Sequence, residues 1–136
     1  MVTHTAVDSW RMRAVRGATT VICDDPELMY DAIRELLTSL LSHNDIDASH
    51  IVSAMFTATP DLRCAFPARA ARDLGWSDVP MLCAAEIDVP DAQHRCLRVL
   101  LHVERRASDP ALIPIYLREA IGLRPDLASI AAPLAP

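Results

Sequence analysis

Cys96-Leu97-Arg98-Val99-Leu100-Leu101-His102-Val103-Glu104-Arg105 is the stretch that settles the architecture. In an extended chain Leu97, Val99, Leu101 and Val103 share one face, and Arg98, Leu100, His102 and Glu104 the other. The first face suits a core. The second sets charged groups around a single leucine. Arg98 interrupts an apolar run, so its charge needs a partner or a pocket. The nearest acidic candidate is Glu86, at the end of a short strand read over 80–87, with a loop at 90–94 between.

Working outward, Asp24-Asp25-Pro26-Glu27 opens a helix. An aspartate caps it, proline takes the first turn, and acids favour its positive end. Leu28, Met29, Ala32, Ile33, Leu36, Leu37, Leu40 and Leu41 keep one apolar stripe at helical period, and His43-Asn44 ends it. A strand is expected over 11–21, where Gly17 implies a bulge or a close backbone approach. A buried strand is expected over 51–59. Residues 60–74 are rich in alanine and read as helical turns divided at Pro67, closed by Gly75. Ser108-Asp109-Pro110 predicts a second long helix to Ile121, distorted by Pro114 and stopped by Gly122. The order of elements predicts a mixed α/β (α+β) domain over 11–136, with helices packed on a mixed sheet. Residues 1–10 read as an N-terminal extension, and the tail from about 124 as irregular.

Composition narrows the chemistry. The chain has 136 residues and a net charge of −5, which disfavours a nucleic-acid or membrane-surface partner. All 13 basic residues are arginine. Without lysine there is no Schiff base and no Walker P-loop. What remains is a forked, permanent cation suited to carboxylates and phosphates. Cys23, Cys64, Cys83 and Cys96 form no C-x-x-C, and the five histidines lack ligand spacing, so no metal site is expected. No apolar run approaches a membrane span, and the first ten residues contain no secretory h-region. Free thiols without an export signal point to the cytoplasm.

Three places stand out. Arg16 precedes Gly17, where the backbone is approachable. Arg69 and Arg72 lie three apart and share a helix face. Cys83 and Glu86 end one strand, with Arg98 on the next. Convergent guanidinium groups would suit a small ligand with more than one carboxylate.

At these places the sequence resembles a known family. The matching runs are Arg16-Gly17-Ala18-Thr19-Thr20, Ala58-Thr59-Pro60-Asp61-Leu62, Phe66-Pro67-Ala68, Gly75-Trp76 with Val79-Pro80, Cys83 with Glu86 and Asp88, Arg98, and Leu123-Arg124-Pro125-Asp126-Leu127. They are similar to the small monofunctional chorismate mutases of the trimeric, pseudo-α/β-barrel type. The resemblance implies a homotrimer with clefts between subunits and a cofactor-free Claisen rearrangement of chorismate to prephenate, in aromatic amino-acid biosynthesis. It implies Arg98 as the cation at the ether oxygen, Arg16 on a carboxylate and Glu86 on the ring hydroxyl, with Cys83 assisting. Tyr116, expected on the last helix, would reach a carboxylate. Phe66 would pack on substrate, Arg72 would add positive field, and Leu123 would line the pocket. Arg69 stands where relatives often carry lysine, and Met81-Leu82 replaces smaller or polar residues. Two alternatives remain at this point: an enamine or imine deaminase on a related trimeric fold, and a non-catalytic trimer that binds an anionic metabolite.

Overall fold

Asp25 starts the long helix as the sequence predicts. Its carboxylate accepts the N–H of Leu28 at 3.1 Å, and Pro26 takes the first position. The computed structural model describes residues 7–128, with helices α1 (Pro26–Asn44), α2 (Ala68–Asp73) and α3 (Pro125–Ala128). The strands are β1 (Trp10–Thr20), β2 (Ile51–Ala58), β3 (Met81–Ala85), β4 (Cys96–Arg106) and β5 (Ile115–Tyr116). They form one sheet in the order β3-β2-β4-β1-β5. β4 runs antiparallel to both neighbours, while β2–β3 and β1–β5 are parallel.

The apolar stripe of α1 makes the core. Met29, Ile33, Leu36, Leu37 and Leu40 are fully buried, against Leu97, Val99, Leu101 and Val103 of β4. Each such side chain contributes about 1.5–3 kcal/mol of burial. Gly17 makes the close approach read from the sequence, without a bulge, since β1 keeps continuous register with β4. A Cβ there would lie 2.9 Å from Leu40 Cδ1 and 3.0 Å from Leu36 Cδ1.

On the opposite face no α-helix packs among the described residues; the 3-10 turn at Arg118–Leu123 covers one end, Ala120 lying against Ala18 and Cys96, and the rest is open. Met12, Met55 and Leu82 lie on it, 58%, 43% and 67% exposed. This face holds Arg98.

Several expectations change. The helix predicted over 108–121 does not form: the segment runs through coil, β5 and a 3-10 turn at Arg118–Leu123. Side chains satisfy its backbone instead. Ile113 donates its N–H to Asn44 Oδ1 at 2.6 Å, and Asn44 Nδ2 donates to the Ile113 carbonyl at 3.0 Å. The buried Arg105 guanidinium donates to the Pro110 carbonyl at 2.9 Å. With Pro114 interrupting the helical ladder, the extended path is the satisfied one. Tyr116 therefore sits on a strand, not a helix. At the other end, β1 begins at Trp10, one residue before the expected start. In the tail, Pro125–Ala128 is helical, where irregular chain was expected from about 124. Residues 1–6 and 129–136, parts of the expected extension and tail, lie outside the described residues.

Candidate active site

Register places the chemistry. Arg98 has Ala18 of β1 and Thr57 of β2 as cross-strand partners. β3 continues one step past Ala85, where Glu86 donates its N–H to the Ala58 carbonyl at 2.9 Å. That step brings the Glu86 side chain to the Arg98 face. Arg98 Nε donates to Glu86 Oε2 at 3.1 Å, and Thr57 Oγ1 donates to the same oxygen at 2.7 Å. Both bonds land on Oε2, which leaves Oε1 for another donor. The Arg98 side chain is 45% exposed and that of Glu86 16%. A half-wet pair of this kind adds little stability. Its effect is to hold the guanidinium in one place.

Arg16 lies one step along the ladder, opposite Leu100, with no acidic partner among the described residues. A hollow of about 260 Å³ is lined by Arg16, Thr57, Arg98 and Tyr116 over a floor that includes Met55 and Leu100. Two cations thus face one concave, partly apolar space. Tyr116 is 5% exposed and pairs with Ala18. It packs with Cys96 and Ala120, and Leu123 lies against the same cluster. Burial raises the Cys96 thiol to about 11, so it remains protonated and apolar there.

The remaining candidates lie elsewhere. Cys83 pairs with the core residue Phe56 and Ala84 with Thr57, so alternation puts Cys83 and Glu86 on opposite faces. Cys83 and Phe66 line a second hollow of about 410 Å³, and Phe66 is 73% exposed. Arg69 and Arg72 project from α2; Arg69 Nε reaches Asp73 Oδ1 only at 3.9 Å. The structure therefore gathers Arg16, Glu86, Arg98 and Tyr116, with Leu123 adjoining. It leaves Phe66, Arg69, Arg72 and Cys83 apart from them within the chain.

Thr59-Pro60-Asp61 is scaffolding beside the site. Thr59 Oγ1 donates to Asp61 Oδ1 at 2.5 Å, and Arg95 donates its N–H to Asp61 Oδ2 at 2.9 Å. Cys96 donates its N–H to Thr59 Oγ1 at 2.9 Å. These bonds fix Arg95 at φ 47° and set where β4 begins. Burial pushes the Asp61 carboxyl up, but the Thr59 and Arg95 donors outweigh it and hold it below 3.8. Thr57 is a further polar contact of the site that no sequence motif marks. Its signal was alternation in β2, which turns Met55 and Thr57 away from the buried Phe56.

A profile describing chorismate mutase type I matches residues 12–127. The chain belongs to the type I chorismate mutase family. It is similar to the chorismate mutase AroH of Thermus thermophilus, with 44% identity over 119 residues, covering 87% of this chain and 98% of that one. The chorismate mutase AroH of Bacillus subtilis (strain 168) is 36% identical over 118 residues, covering 86% and 93%. In structure the chain is similar to the chorismate mutase from Clostridium thermocellum. The TM-score is 0.74 at 37% identity, covering 79% of this chain and 96% of that one. This family membership displaces the deaminase and the non-catalytic binder as readings of the chain.

Proposed function

We propose that this chorismate mutase works as a homotrimer whose clefts are each shared by two subunits, with Arg98 as the cation at the breaking bond. The observation that carries the reading is the Arg98–Glu86 pair, held at 3.1 Å beside Arg16 in an open hollow. Chorismate brings two carboxylates, a ring hydroxyl and an ether oxygen. In its unimolecular rearrangement to prephenate the C–O bond breaks ahead of C–C bond formation. Negative charge therefore grows on the ether oxygen, and a fixed cation there binds the transition state better than the ground state. Glu86 anchors Arg98 through Nε, and the terminal nitrogens of the fork point the charge at that oxygen. Glu86 Oε1 takes the ring hydroxyl. Arg16 takes a carboxylate and holds the enolpyruvyl arm near its reactive conformer. Tyr116 donates to a carboxylate, and Leu123 closes the apolar wall.

The neighbouring subunit supplies the rest: Phe66 packs on substrate, Cys83 offers a hydrogen bond, and Arg69 and Arg72 add positive field. Support for the shared cleft is the separation of these residues from the hollow within one subunit. The exposed Met12, Met55 and Leu82 on the open sheet face support burial against further copies. An acidic chain can hold a dianion because the local field opposes the net charge. The rearrangement requires no metal, cofactor or covalent intermediate, and the chain acts without a nucleic-acid or membrane partner. Free cysteines fit a cytoplasmic setting, and among the described residues no helix is long and apolar enough to cross a membrane.

Two measurements on purified protein test it. Chorismate absorbance should fall with turnover, unaffected by a chelator, and sedimentation should give three chains per particle. Chorismate binding without turnover would overturn the mechanism, and an active monomer the shared cleft.

A further inference from the structure

Two residues proposed for the site, Tyr116 and Leu123, lie on a segment with little regular structure to hold them. β5 is two residues long, and the rest is a 3-10 turn. Beyond Tyr116, Leu117 donates its N–H to the Ala18 carbonyl at 2.9 Å. The chain then turns at Arg118, whose φ is 54°. Glycine adopts that left-handed conformation freely, and a residue with a Cβ does not. The Arg118 side chain accounts for its presence. Nη1 donates to the Thr20 carbonyl at 3.1 Å, and Nη2 donates to Glu35 Oε2 on α1 at 3.5 Å. Glu119 donates its N–H to Thr20 Oγ1 at 3.2 Å. These bonds meet at the end of β1, two residues from Ala18, the strand partner of both Tyr116 and Arg98.

We infer that Arg118 is a positioning residue, which fastens the turn after β5 to β1 and α1 and so fixes Tyr116 at the hollow. The inference rests on the proposed role of Tyr116 in binding a carboxylate. A rigid planar fork spreads its donors over acceptors on two elements at once, whereas an ammonium group on a flexible stem carries its donors on one atom and fixes neither acceptor's direction. The Glu35 contact is exposed and secondary; the bond to the Thr20 carbonyl sets the turn. Because a carboxylate is bound equally before and during reaction, loosening Tyr116 acts on KM more than on kcat.

The experiment is steady-state kinetics on the full chain, with Arg118→Ala, Arg118→Gly and Arg118→Lys made in both the native and Tyr116→Phe backgrounds. Arg118→Ala should raise KM for chorismate about 5-fold, the size of one lost hydrogen bond, with little change in kcat. Arg118→Gly, which suits the φ but lacks the fork, should match it. Arg118→Lys should fall between these and the native chain. In the Tyr116→Phe background the Arg118→Ala effect should vanish. If Tyr116→Phe raises KM while Arg118→Ala and Arg118→Gly only lower Tm, or if the effects add, the inference is overturned alone. If Tyr116→Phe leaves KM unchanged, the reading of Tyr116 falls and the inference with it.

Discussion

Arg98→Lys keeps the charge and changes its shape. In the native chain Nε is bound to Glu86 Oε2 at 3.1 Å, so the terminal nitrogens remain for the substrate. Lysine has one nitrogen, one bond shorter in reach, which must serve either Glu86 or the ether oxygen. Suppose half a unit of developing charge moves from about 3 to about 4.5 Å from the cation, at an effective dielectric of about 20. The loss is about 1 kcal/mol. The charge-assisted hydrogen bond adds about 1.5–3 kcal/mol. Together these reduce kcat by about 10²–10³, the usual loss for one donor at a developing anion. Stopped or continuous loss of chorismate absorbance at saturating substrate measures it, with circular dichroism confirming the fold. A kcat within about 3-fold of native would refute the assignment, since no geometry-dependent stabilisation of this size would then reside in the fork.

Glu86→Ala should lower kcat at least about 10-fold by freeing Arg98 to wander, with the proposed trimer intact by sedimentation; dissociation would mean the pair is structural. Gly17→Ala should lower stability by about 1–3 kcal/mol in urea unfolding, because its Cβ would meet Leu40 Cδ1 at 2.9 Å; an unchanged midpoint would contradict the close packing. Asp61 is held below its ordinary 3.8 in the folded chain, so its contribution is full above that pH and fades as pH falls through the folded value. Asp61→Asn should therefore lower Tm at pH 7, and the gap to native should close below about pH 4; a gap that widens in acid would reverse the sign.

Much of the fold is legible in the sequence itself. Alternation at Leu97–Val103 and the stripe after Pro26 encode burial directly, so the sheet and α1 follow from local pattern. Gly17 signalled the close approach because a Cβ there would press on Leu36 and Leu40. The segment from Ser108 misled because its helix signals are local, while its real partners are distant. Asn44 and Arg105 satisfy its backbone from elsewhere in the chain, and no window of sequence shows that. Arg98 announced itself as a charge in an apolar run, but the role of Thr57 depended on register between β2 and β4. The separation of Cys83 from Glu86 was implicit in their odd spacing along one strand, yet it became meaningful only once the covered face was known.

The central claim is that Arg98 and the α2 arginines meet only across a subunit boundary. Subunits bearing Arg98→Ala can be mixed with subunits bearing Arg69→Ala and Arg72→Ala, and the exchange followed by native mass spectrometry. Each parent should be nearly inactive. Random hybrid trimers should regain roughly one quarter of native activity, since that share of clefts takes an intact half from each neighbour. Hybrids that form fully and show only the mean of the two parents would contradict the account.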